Sequence, residues 1–183
     1  MNTYIALLRG INVSGQNIIK MADLKILLSN AGLKNVVTYI QSGNIIFSSE
    51  EKNKDVLEQL IANCIKEKYD YQIKVLVLTK LYLKQIFDEL PFHKNNNLDT
   101  KKLGVTFLNT STIEENIEKI LNLKSDDEQL IFKDKVIYMY CANGFGRTKL
   151  TNKNIETKLK VSATSRNWNT ITKLVQLSNQ QFE

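Results

Sequence analysis

The 183-residue chain contains a single histidine and only two cysteines. Zinc and iron centres draw mainly on these two residue types, so no metal site is expected. A Ser-His-Asp or Cys-His nucleophilic engine would have to run through His93, which lies in Asn-rich loop sequence. Cys64 falls on the apolar face of a predicted helix and Cys141 ends an apolar strand, where a thiol is expected to be buried and inert. No two carboxylates stand out as an acid/base couple, and Asp126-Asp-Glu128 reads as a solvated turn. No cofactor is implied.

Long apolar runs are also missing. None approaches the roughly 18 residues of a membrane span. Met1 to Arg9 lacks the basic start and small-residue cleavage site of a signal peptide and reads as a strand. A cytoplasmic protein without a membrane partner is expected.

The net charge is +6, and it is not spread evenly. Between Cys141 and Phe182 lie Arg147, Lys149, Lys153, Lys158, Lys160, Arg166 and Lys173, with Glu156 the only acid, which accounts for the whole excess. A basic end favours anionic partners: phosphate, carboxylate or nucleic acid. A Lys-, Asn- and Ile-rich composition from AT-rich coding would also raise the pI, but would not concentrate charge at one end.

The apolar pattern predicts a strand at 3–9, a loop at 10–19 and a helix at 20–31 with Leu24, Leu27, Leu28 and Ala31 on one face. Short β-branched runs at 36–41 and 45–48, split by Ser42-Gly43-Asn44, predict a hairpin. A helix at 54–69 would bury Leu57, Leu60, Ile61, Cys64 and Ile65, and a strand follows at 73–78. That order, β-α-β-β-α-β, is a ferredoxin-like unit. A connecting helix at 80–90 ends at Pro91, the only proline. His93 to Asp99 reads as a linker.

The pattern then partly repeats. A strand is predicted at 103–108, a helix at 112–121 capped by Ser111 or Thr110, and a hairpin from 129–133 and 136–141. Two helices follow, at 150–159 and 167–178, with no final strand evident. The fold class is therefore α+β: a first unit at 1–80, a connector at 81–100, and a second unit at 101–183 that ends in two helices.

Three segments carry a resemblance. They are Tyr4-Ile-Ala-Leu-Leu-Arg-Gly-Ile-Asn-Val13 with Lys20-Met-Ala-Asp-Leu24, then Thr38-Tyr-Ile-Gln-Ser-Gly-Asn44, and then Gly146-Arg-Thr-Lys-Leu150 through Ala163-Thr-Ser-Arg-Asn-Trp-Asn-Thr-Ile-Thr-Lys173. Together the chain resembles a widespread bacterial family of unknown function along its whole length. The resemblance implies two ferredoxin-like subdomains and brings no settled substrate or reaction. Ser14-Gly15 stands where members often have Gly-Gly.

Several residues could carry binding. Arg9 alternates onto the face of Ile5 and Leu7, where a charge needs a partner or a mouth. With Asn12 it reads either as a ligand contact or as half of a salt bridge. Arg147 and Lys149 lie in a glycine-containing loop that matches neither phosphate-binding glycine motif. The other reading is an ordinary glycine turn with exposed charges. Arg166, Asn167 and Asn169 flank Trp168 at a helix start suited to an anion, though Trp168 also fits the core face and Asn167 an N-cap. Gln41 to Asn44 adds amides, which turn chemistry alone would explain. Strands one and three of the first unit are expected to run parallel, which puts Arg9 on the order of 13 Å from this turn at about 3.3 Å per residue.

The first expectation is a small anionic, phosphorylated or carboxylated ligand in a basic cleft between the units. Nucleic-acid binding through the basic C-terminal helices is the alternative, although the aromatic RNP motif is absent. A protein-interaction role without a ligand is the third.

Overall fold

A computed structural model describes residues 1–92 and 98–180. His93 and most of the expected linker lie outside the described residues. The elements are β1 (Asn2–Arg9), α1 (Met21–Asn30), β2 (Lys34–Tyr39), β3 (Asn44–Ser49), α2 (Lys54–Tyr69), β4 (Lys74–Thr79) and α3 (Lys80–Asp88). They continue with β5 (Leu103–Leu108), α4 (Glu114–Leu121), β6 (Gln129–Lys133), β7 (Val136–Tyr140), α5 (Asn152–Leu159), β8 (Ala163–Asn167) and α6 (Trp168–Gln180). The protein is α+β, with two four-stranded antiparallel sheets in the orders β2-β3-β1-β4 and β6-β7-β5-β8.

Contacts divide the described residues into two units, one of Met1–Phe87 with the part of α6 from Lys173 onward, the other from Asp88 to Thr172. This division groups α3 up to Phe87 with the first sheet, and it does not follow chain order at the C-terminal end.

In the first unit, β1 is central, and Tyr4 to Leu8 are buried in an unbroken run. Tyr4, Ala6 and Leu8 with Ile45 and Phe47 pack against Leu24 and Leu28 of α1 and Leu57, Ile61 and Ile65 of α2. The helix face expected at 54–69 is the one observed. Asn53 caps α2 by accepting the Asp55 N–H at 2.9 Å. The opposite sheet face, with Ile5, Leu7 and Ile46, is equally buried.

In the second unit, Leu108, Ile137, Met139 and Cys141 pack with Ile120 of α4 and Ile155 and Leu159 of α5. Here the structure corrects the sequence reading. The final strand thought missing is present: β8 pairs antiparallel with β5 from Gly104↔Asn167 to Leu108↔Ala163. Ala-Thr-Ser-Arg-Asn has no bulky apolar residue to announce a strand, so its pairing comes from β5 rather than from propensity. The cap of α4 also differs. Ile113 occupies the N-cap position without a side-chain bond, and the Ser111 hydroxyl donates to Asp134 at 3.2 Å instead.

The two units share one device. Glu58, the fifth residue of α2, accepts the N–H of Val77 on edge strand β4 at 2.8 Å. Glu156, the fifth residue of α5, accepts the N–H of Ala163 on edge strand β8 at 3.0 Å. Each carboxylate satisfies an edge-strand donor that the ladder leaves over. This assigns a structural task to the only acid of the basic stretch.

Candidate functional site

Strands β1 and β3 run antiparallel, with Leu7 opposite Asn44, which overturns the expected parallel arrangement. The α1 crossover makes β2 parallel to β1, and the hairpin then turns β3 back against both. The end of β1 and the β2–β3 turn therefore share one sheet end, and the Leu8 N–H donates to the Gly43 carbonyl at 2.8 Å.

Asn12 locks this corner. Its Nδ2 donates to the carbonyls of Ile19 and Gln41, both at 2.9 Å, and its Oδ1 accepts the Ile19 N–H at 2.9 Å. Gly43 sits so close that a Cβ would lie 2.6 Å from the Leu8 Cβ and 2.8 Å from the Ile11 Cδ1. Asn44 is fully buried and donates to the Tyr39 carbonyl and the Ser42 hydroxyl, so its amide belongs to the turn. Two of the three motif segments thus converge on one place.

The backbone there is strained. Asn12, Ser14 and Asn17 all have left-handed φ values. Ile40, half-exposed, has φ +49°, which costs a β-branched residue about 1–3 kcal/mol.

Arg9 is half-buried, and burial lowers its pKa below the ordinary guanidinium value. Its cross-strand partner is Lys74, the exposed first residue of β4. Directly opposed residues project from the same sheet face, and like charges in that relation oppose sheet formation. Lys74 escaped the sequence reading, because nothing local announces which residue a strand end will face.

In the second unit, the glycine loop reaches the end of β8. Phe145 lies across Gly104, where a Cβ would be 2.5 Å from its Cζ and 3.1 Å from the Arg166 carbonyl. Gly104 pairs with Asn167. The loop bearing exposed Arg147 and Lys149 is thereby fastened to the sheet end from which α6 starts. Asn143 in the same loop donates to Asp127 at 2.7 Å, which places one carboxylate nearby.

Asn167 and Trp168 there have structural tasks. Asn167 accepts the Thr170 N–H at 2.9 Å, the N-cap reading. Asn169 is exposed, whereas Trp168 is buried. Arg166 donates to the Ser165 carbonyl at 2.8 Å, and burial pulls its pKa down to about 10, so it stays cationic at neutral pH.

Glu128 corrects another expectation. It is 3% exposed, and its Oε2 accepts the Ser125 N–H at 2.9 Å, so this end of the acidic turn is not solvated. Cys141 is fully buried, and burial followed by the Glu128 charge pushes its pKa up to about 11. A thiol held that high is a poor nucleophile at neutral pH. Among the described residues, no three His, Cys, Asp or Glu side chains cluster as metal ligands would. No helix among them is long and apolar enough to cross a membrane.

Residues 1–138 match the model of a family described as "Protein of unknown function (DUF1697)". Among solved structures, the chain is similar to that of conserved bacterial protein SP0830 from Streptococcus pneumoniae. The two are 27% identical with a TM-score of 0.76, over 97% of this chain and 98% of that one. No curated protein matches.

Proposed function

This chain belongs to that family of proteins of unknown function, DUF1697, and we propose that it binds a small phosphorylated or carboxylated ligand at the Arg9 corner of its first unit. The observation that carries the reading is the cross-strand pair Arg9–Lys74. Two cations held side by side concentrate positive charge at this sheet end, which favours an anionic group beside them. The loop locked by Asn12 and the turn at Gln41 form the rim beside them. Arg147 and Lys149, with Asn169 on the first turn of α6, are the second unit's proposed anion contacts. Each unit is read as ferredoxin-like, a reading supported by the shared sheet order and the antiparallel pairing.

The nucleic-acid alternative lacks a stacking platform at its most informative motif, since Trp168 is buried.

Thermal-shift measurements across phosphate, phosphate esters and carboxylates test the proposal. A ligand at 100 times its dissociation constant should stabilise the protein by about 2.7 kcal/mol. Arg9→Gln with Lys74→Gln should remove the shift. A flat response across the panel, or a shift that survives both substitutions, rejects the reading. Affinity for RNA or DNA that collapses with added salt would favour the alternative.

A further inference from the structure

Among the described residues, four strands form the outer edges of the two sheets: β2 and β4 in the first, β6 and β8 in the second. An edge carries main-chain donors and acceptors that can pair with another chain, and folded proteins usually guard it. Three of these edges are guarded. In β2 the register with β3 shifts between Lys34 and Val37, and Asn35 has a left-handed φ of +50°, so the edge is bulged. On β4 and β8 the carboxylates of Glu58 and Glu156 accept the N–H groups of Val77 and Ala163.

β6 has neither device. Its five residues, Gln129–Lys133, pair with β7 in unbroken register, from Gln129↔Tyr140 to Lys133↔Val136. Among the described residues, its other side has no main-chain partner. Gln129, Ile131 and Lys133 are exposed, while Leu130 and Phe132 are half-buried against the second unit's core. A charge on an edge discourages pairing, but Glu89 holds the Lys133 ammonium at 2.6 Å.

The sequence of this edge is self-complementary. Gln-Leu-Ile-Phe-Lys reads polar, three apolar, polar in either direction. Two copies related by a twofold axis perpendicular to the sheet pair antiparallel, and opposed residues share a face. The register centred on Ile131 is the one that pairs all five residues. It sets Ile131 against its own copy, Leu130 against Phe132 and Gln129 against Lys133. No two like charges then oppose each other within the strand. Each Leu130–Phe132 pair extends the apolar layer that packs on Ile120 and Ile155.

We infer that β6 is a docking edge for a second copy of this chain, which joins two four-stranded sheets into one of eight strands. The paired edges are short and bury less than a standard interface, so the dimer is weak and concentration-dependent. A foreign extended peptide adds a strand through the same main-chain bonds, but the chain's own copy supplies a matching side chain at all five positions. The inference does not depend on the Arg9 corner.

Sedimentation velocity of the full-length chain from about 10 μM to about 1 mM tests it, and should show a monomer–dimer equilibrium. Ile131→Lys places two ammonium groups face to face on the axis and should raise the dissociation constant about 10-fold or more. Ile131→Glu alone should do the same. Mixing the two variants sets Lys against Glu and should restore association, which variants that had lost their fold would not do. Hydrogen exchange gives a readout without substitution. The amides of Gln129–Lys133 should gain protection as concentration rises, and those of β2 should not. A monomer at about 1 mM, a dimer indifferent to the Ile131 substitutions, or a mixture that stays monomeric overturns the inference. So does protection of β6 that arises only when an extended apolar peptide is added, which would assign the edge to a foreign chain.

Discussion

Asn12 donates to the main-chain oxygen of Gln41 at 2.9 Å, across 29 positions of sequence. The same amide holds Ile19 through two further bonds, so one side chain fixes the loop after β1 to the turn before β3. Replacing Asn12 with Ala removes all three bonds and leaves Ala at φ +53°. A loss of about 2–3 kcal/mol is expected in urea unfolding. Asn12→Asp keeps the bond to the Ile19 N–H but loses both donations, and should fall between. A change under about 0.5 kcal/mol for Ala would show that the corner does not depend on this residue.

Gly43 and Gly10 separate two effects. Both have positive φ, but a Cβ at Gly10 meets nothing within 4 Å whereas one at Gly43 collides with Leu8 and Ile11. Gly10→Ala should cost about 1 kcal/mol, the conformational penalty alone. Gly43→Ala should cost at least about 2 kcal/mol, because backbone must move. Equal midpoints for the two variants would remove close approach from the account.

Ile40 offers the reverse test. Asn tolerates the left-handed region far better than a β-branched residue, and position 40 is half-exposed. Ile40→Asn should therefore stabilise the protein by about 1 kcal/mol. If the strain serves ligand binding, the same variant should lose the thermal shift given by its anion.

Glu58 should leave a signature in pH dependence. Burial raises its pKa above the usual carboxylate value, although the Val77 N–H pulls the other way. A folded value above the unfolded one means the folded state holds the extra proton between them. Stability then falls as pH rises through that window. Glu58→Gln keeps an acceptor for Val77 and should flatten this slope in urea midpoints taken from pH 4 to 7. Glu58→Ala should instead cost about 1–2 kcal/mol at every pH by stranding the edge-strand donor.

Cys141, with a pKa of about 11 and no exposure, should resist iodoacetamide at pH 8 until the protein unfolds. Cys64 is partly exposed, although burial raises its pKa too, and it should react first. Mass spectrometry of the labelled peptides distinguishes the order, and early labelling at Cys141 would contradict the buried, ionisation-resistant thiol.

The candidate groups were legible only in part. Arg9 and Asn12 stood out because a charge alternated with apolar residues at a strand end. Their neighbourhood did not, since the parallel pairing expected for strands one and three placed the Gln41 turn elsewhere. Lys74 looks in sequence like any solvated charge.

Local order in the chain determined what short-range physics governs. The apolar stripe of Leu57, Ile61 and Ile65 sets a helix face, and the β-branched runs around Ser42 to Asn44 set a hairpin, because spacing of 3.6 or 2 residues needs no distant partner. Tertiary structure alone made Ala163–Asn167 a strand, set Arg9 beside Lys74 and buried Glu128. Each of those outcomes depends on which strand lies alongside and in what register, and that choice belongs to contacts far apart in sequence.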